Sequence, residues 1–344
     1  MSWHTQLKAD PLPWLLNENG PGVRYLALRD LCDLPAGTQS GAADEPQLAA
    51  ARRAAHRAGP IAAILDQMDP AGFWVEPGPG YNPKYRSTVW SVSLLAQLGA
   101  SIEEDPRIAA ACAYVLDHAL TPGGQFSTTN TASGTADCLH GNLCWALVEL
   151  GCTDPRLERA FDWLARSVTG EGIAPLEQKD APVRYYAGKC GPTFACGSNN
   201  KLPCAWGGVK VMQALGRWPA ERRTPVMQRA IEHGVSFLLG SDPALADYPN
   251  GWAEKPSGNW WKFGFPVFYV TDLLQNVEAL VSLGYGRDPR LTAALDLIRQ
   301  KQDAEGRWAL EYDYRGKTWA DFGPKKQPNP WVTLRALRVL KAVV

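Results

Sequence analysis

An excess of charge of one sign is missing from this chain: 35 Lys and Arg are matched by 35 Asp and Glu, leaving its 344 residues at a formal net charge of +0 at pH 7. Without a global field, nothing recruits nucleic acid or an anionic membrane, and no nucleic-acid partner is expected. Long apolar runs are missing too. No stretch reaches the ~18 residues of a membrane span, so no transmembrane segment is expected. The opening MSWHTQLKADPLPWLL has no basic cluster leading into an apolar core, and the expectation is a cytoplasmic protein. The phosphate-binding Gly-x4-Gly-Lys-Ser/Thr, the nucleophile elbow Gly-x-Ser-x-Gly and the metal-binding His-Glu-x-x-His are all absent. P-loop enzymes, serine hydrolases of that type and zincin peptidases are thereby excluded. Histidine is scarce, with five in all.

What is present has a period. Apolar residues make up 45% and charged residues 20%, as in a globular protein with a sizeable core, and tryptophan is abundant at 14. Leu98-Gly99 is followed by Asp105-Pro106-Arg107, Leu150-Gly151 by Asp154-Pro155-Arg156, and Leu283-Gly284 by Asp288-Pro289-Arg290, with a degenerate copy at Leu215-Gly216. Each reads as a helix stopped by Gly and a new helix capped by Asp, with Pro in its first turn. Strongly apolar helices are expected over 87–98, 138–150, 204–215, 266–283 and 330–344. Amphipathic ones are expected over 106–120, 155–167, 225–240 and 289–302.

Such alternation implies two concentric layers. The fold expected is all-α, an (α/α) toroid of about six helical hairpins forming a single domain over 1–344. In it, 59–344 hold the repeats and a hairpin within 1–58 closes the ring. Gly- and Pro-rich stretches at 76–83, 188–204 and 248–266 are long for helix connections and are expected to roof one end.

Inner helices of a toroid begin at one rim. Residues about 12 positions before each Leu-Gly, a little over three turns, therefore converge on one mouth. Counting back reaches Arg86 and Ser87, Asp137 and Cys138, Cys204, and Thr271 and Asp272. Thiols, carboxylates and a base at one opening suit a metal or an acid–base site, whereas a packed core would place apolar groups there.

Asp137-Cys138-Leu139-His140-Gly141 supplies the ligand types preferred by zinc, and Cys190, Cys196 and Cys204 follow one repeat later. Cys138, His140 and Cys204 are the expected ligands, with Cys190 and Cys196 as further candidates and zinc as the candidate cofactor. On a continuous helix Cys138 and His140 point about 200° apart, so both ligate only if the helix starts at or after His140. Small buried hydrophobes are the plainer reading of the same thiols. As acid–base or catalytic groups the set is Asp137, Cys138, His140, Cys204 and Asp272.

Tyr85, Arg86, Trp90, Tyr186, Lys201, Trp206, Trp261, Phe265 and Tyr269 are the expected substrate contacts. They combine basic groups near the rim with rings that suit an apolar ligand. The density of rings from Trp260 to Tyr269 exceeds what one helix face buries.

The run Leu297-Ile298, Gln302, Gly306, Trp308 resembles the QW repeat of the squalene–hopene cyclase and protein prenyltransferase superfamily, and Gln67, Gly72 and Trp74 form a looser copy. This resemblance implies the α/α toroid and an enzyme acting on a hydrophobic, isoprenoid-like small molecule in a central cavity. Asn200 to Trp206 is similar to the zinc-binding segment of prenyltransferase β subunits, with Lys201 matching the residue that contacts diphosphate, although the Asp expected before the Cys is absent. Cys138-Leu139-His140-Gly141 and Cys204-Ala205-Trp206-Gly207 resemble, in reverse order, the zinc motifs of lanthionine cyclases, which implies a thiol-activating zinc enzyme as the alternative. A metal-free proton shuttle, as in linalool dehydratase–isomerase, and a non-catalytic lipid- or peptide-binding toroid are the others. Asp-x-Asp-Asp and Asp-Asp-x-x-Asp, the acid and metal motifs of terpene cyclases and synthases, are absent. Oligomerisation with further copies of the chain is left open.

Overall fold

The computed structural model describes residues 2–17, 20–32, 46–175, 177–180 and 189–344, and among these it is built from α-helices, short 3-10 turns and isolated bridges, with no strand. Six helices form the inner ring: α2 (Gly20–Asp30), α5 (Thr88–Gln97), α7 (Asp137–Glu149), α9 (Ala205–Arg217), α11 (Leu273–Ser282) and α13 (Pro330–Ala342). From α5 onward each packs on the next, and α13 returns onto α2. The circle closes where Gly99, just after α5, meets α2: a carbon added there would sit 2.6 Å from Leu26 Cδ2. The outer layer comprises α3 (Pro46–Arg57) on α2, α6 (Pro106–His118) on α5, α8 (Arg156–Thr169) on α7, α10 (Pro225–Leu238) on α9 and α12 (Thr292–Gln300) on α11. The short helices α1 (Leu12–Asn17) and α4 (Pro60–Leu65) pack on α2 and α3, and the turn Trp3–Gln6 covers α13. The expected all-α toroid is the fold observed. No helix among the described residues is long and apolar enough to cross a membrane.

The repeated motifs act as their chemistry requires. Gly99, Gly151 and Gly284 have φ of 76°, 91° and 93°, a left-handed conformation that ends α5, α7 and α11. In each following turn the Asp accepts the backbone N–H two residues on, at 2.9 Å for Asp105, 2.8 Å for Asp154 and 2.9 Å for Asp288. The intervening Pro gives up no hydrogen bond, and the Arg after it folds back onto the same carboxylate. Aromatic anchors join the layers. Trp74 and Trp308 donate from Nε1 to Ile64 and Ile298, both at 2.8 Å, and from the backbone to Thr88 and Thr333 of the next inner helix.

One expected helix is shorter than its apolar run. Within 266–283, helix begins only at Leu273, because Asp272 caps Gln275 N–H (2.7 Å) and the preceding segment enters the ring as a loop. Gln97 exchanges two hydrogen bonds with the Val267 backbone, at 2.9 and 2.7 Å, and Gly264 pairs with Tyr312. The centre of the toroid is therefore filled by its own chain rather than left as an apolar chamber. A small void of about 80 Å³ of mixed lining remains there, bordered by Trp145 and Phe265 as well as by Gln97, Gln275 and the charged groups of Arg335 and Glu278.

Candidate functional site at the mouth of the ring

A cavity of about 500 Å³ opens at the rim where the inner helices begin. Its floor is Ala136 and Cys138 at the start of α7, with Cys204 and Ala205 at the start of α9. Trp206, Tyr248, Trp260 and Tyr269 supply aromatic wall, and Lys84 and Lys189 supply charge. The Gly- and Pro-rich segments around 189–204 and 246–257 contribute the roof. Helix register explains the floor: residues at corresponding positions of two parallel neighbours must face the same opening. Gly141 and Gly207 let α7 and α9 approach closely, since a carbon at Gly141 would fall 2.6 Å from the carbonyl carbon of Lys210 and one at Gly207 3.2 Å from Asp137 Cβ.

Three half-buried thiols share this cavity: Cys138, Cys196 and Cys204. Cys196 enters on a hairpin in which Ala195 lies opposite Pro203, Cys196 N–H donates to Leu202 (3.1 Å), and Cys204 N–H donates to Phe194 (2.9 Å). The hydrogen bond from Cys204, helped by the backbone N–H groups of Ser198 and Asn199, lowers the Cys196 thiol to about 6. The same bond raises Cys204, which stays protonated. Burial pushes Cys138 up to about 12, against the pull of Lys210. Behind them lies Asp137, 4% exposed. Its Oδ1 accepts from Ser167 Oγ at 3.2 Å, and its Oδ2 has no hydrogen-bonding partner among the described residues. Burial, reinforced by Cys196, raises this carboxyl well above the usual range. Lys210, fully buried on α9 and hydrogen-bonded to Gln275, is lowered to about 7 by burial.

Two expected catalytic groups are occupied elsewhere. His140 Nδ1 accepts the backbone N–H of Phe126 (3.1 Å), and Nε2 lies 2.8 Å from the Ala160 carbonyl to which it donates. It does for Phe126 what Thr88 and Thr333 do for Trp74 and Trp308, and with both nitrogens engaged it is a clamp, not a ligand or base. Asp272 is paired bidentately with Arg335, 2.9 Å on each side. Arg335 also holds Glu278 at 2.7 Å; Asp272 and Arg335 are buried and Glu278 is partly exposed. Burial opposes ionisation of Asp272, but the Arg335 charge outweighs it and keeps the carboxyl below its ordinary value.

The metal set fails with His140. Among the described residues no group of three His, Cys, Asp or Glu side chains is placed to hold a metal ion, and Cys190 is buried outside the cavity wall. These residues therefore do not fit the zinc that the resemblances imply.

Of the expected contacts, Trp206 and Tyr269 line the cavity. Phe265 instead stacks on Trp331 with ring centres 5.0 Å apart. Trp261 donates to Ala244 (2.8 Å), and Trp90 donates to Tyr81 (2.7 Å) while packing on Phe268 and Tyr269. Tyr85 packs on Tyr314 and Phe268, and Arg86 lies over Trp319 at 5.1 Å. Lys201 is exposed at the hairpin tip with φ of 65°, and Tyr186 lies outside the described residues. Lys210, Tyr248 and Trp252 belong to or border the site without having been expected. A lone Lys inside the apolar run of α9 is the signal that marked the first.

No family model matches the chain, and no curated protein matches it. Solved structures that resemble it include a protein from Actinoplanes, 14% identical, covering 86% of this chain and 99% of that one at a TM-score of 0.32. The type II terpene cyclase MstE from Scytonema is 14% identical over 86% of this chain and 97% of its own, at a TM-score of 0.32. A single-residue variant of MstE in complex with geranylgeranyl dihydroxybenzoate is 13% identical, with 86% and 96% covered and a TM-score of 0.32. Similarities of this size say nothing about what this chain binds or does.

Proposed function

We propose that the protein is an enzyme acting on a hydrophobic, isoprenoid-like small molecule held in the mouth cavity, by thiol-based acid–base or nucleophilic chemistry without a metal. The observation that carries this reading is the meeting of three thiols and a buried carboxyl beneath aromatic walls. Acid–base work needs groups whose affinities for a proton are driven apart, and here Cys196 is lowered while Cys204 and Asp137 are raised. Cys196 is the base or nucleophile. The Cys204 S–H, facing the same space, returns a proton, and Asp137, whose affinity for a proton is raised, lies behind it. Ring faces of Trp206, Trp260 and Tyr269 suit an unsaturated chain, and Lys84 and Lys189 suit an anionic head group.

The test combines ligand binding with thiol protection. Farnesyl and geranylgeranyl alcohols and diphosphates should change tryptophan fluorescence and slow the alkylation of Cys196 by iodoacetamide. If none of them does so while a polar metabolite binds tightly, the isoprenoid reading is wrong. Binding that survives Cys196→Ala with no turnover of any bound isoprenoid by wild type would point to the non-catalytic toroid.

A further inference from the structure

The hairpin at the mouth places two thiols in a relation that acid–base chemistry does not require. In an antiparallel pair, residues flanking a bridge on either strand project to the same face. Cys196 and Cys204 flank the Ala195–Pro203 bridge diagonally, both reach the cavity wall, and their thiols hydrogen-bond to one another. Diagonal partners of this kind lie about 7–8 Å apart between Cα atoms and a disulfide spans less than about 7 Å, so a bond between the two contacting thiols needs only a small drawing together of the hairpin. Cys138, on the adjoining helix α7, has no such shared ladder with either.

We infer that Cys196 and Cys204 form a redox-active dithiol, which a low-molecular-weight disulfide entering the mouth converts to an intramolecular disulfide. The Cys196 thiolate attacks one sulfur of the small disulfide, forming a mixed disulfide and expelling one thiolate. Cys204, losing its proton, then attacks the Cys196 sulfur and expels the second. The two protein thiols are oxidised by two electrons, the small disulfide is reduced to two thiols, and the two protons leave with them. Oxidation removes both thiols from the cavity wall at once. This holds whatever molecule the cavity takes, so it stands apart from the isoprenoid reading.

The probe is oxidised glutathione, applied to the reduced, full-length protein and followed by intact mass and by a tryptic map without reductant. Wild type is expected to lose two hydrogens and to join the peptide containing Cys204 to that containing Cys190 and Cys196. Cys196→Ser should abolish this link, which separates Cys196 from Cys190. Cys204→Ser should stop at one glutathione on Cys196, and uptake of glutathione at the mouth should slow roughly tenfold or more in Cys196→Ser. A wild-type protein that ends as a stable glutathione adduct, or that links Cys196 to Cys138, overturns the inference. The wild-type map decides even if a variant fails to fold. The other contacting thiol pair, Cys112 and Cys152, lies within the single tryptic peptide 108–156, together with Cys138 and Cys144, and so reports apart from the two mouth peptides in the same map.

Discussion

Replacing His140 by Ala tests whether the imidazole is a clamp. The substitution leaves Phe126 N–H and the Ala160 carbonyl without their buried partners. Each loss costs about 1–3 kcal/mol, and with the void left behind a total of about 3–5 kcal/mol is expected. At roughly 2 °C per kcal/mol for a chain of this size, Tm should fall by about 6–10 °C.

A second signature is the response to acid. Burial lowers His140 to about 4 from an ordinary value of 6.5. The unfolded chain therefore binds the extra proton more readily between these values. The stabilisation is complete above the unfolded value and is lost as pH falls towards the folded one. The gap corresponds to roughly 3 kcal/mol. Thermal melts of wild type and His140→Ala from about pH 7.5 to about pH 4.5 should show the two converging as the wild type loses this term. Parallel loss in both proteins, or a variant of unchanged stability that no longer binds ligand, would falsify the clamp and return His140 to the mouth.

Three further outcomes follow from the same geometry. The rate of Cys196 alkylation should rise with pH through a midpoint near 6 and shift upward in Cys204→Ala, which has no side-chain donor, because the Cys204 hydrogen bond is the main cause of the lowering. A midpoint above 8 in wild type, by peptide-resolved mass spectrometry, would contradict it. Arg335→Met strands Asp272 and Glu278 and should cost about 3–5 kcal/mol in urea unfolding; a loss below about 1 kcal/mol would show that solvent reaches the network. Gly141→Ala forces α7 away from the α9 backbone and should cost about 1–3 kcal/mol or more, whereas Gly258→Ala, which would meet nothing within 4 Å, should be neutral by the same measurement.

Helix periodicity, the Leu-Gly stops and the Asp-Pro-Arg starts were legible in the chain because each rests on interactions within a few residues. The register of the mouth followed from them: Cys138 and Cys204 share one cavity because equal helix lengths place equivalent positions at one rim. Which polar groups remain available there was decided only in the folded protein. Asp272 is claimed by Arg335 from the last helix, His140 by Phe126 and Ala160, and the middle of the ring-rich segment is pinned at Val267 by Gln97 inside the toroid, which leaves only its ends, Trp260 and Tyr269, on the cavity wall. Cys196 likewise reaches Cys204 through a hairpin that no spacing rule announces. Local rules determine where a helix begins and which face it buries. A buried polar group takes whichever partner lies within about 3 Å, and that partner is set by how distant elements pack.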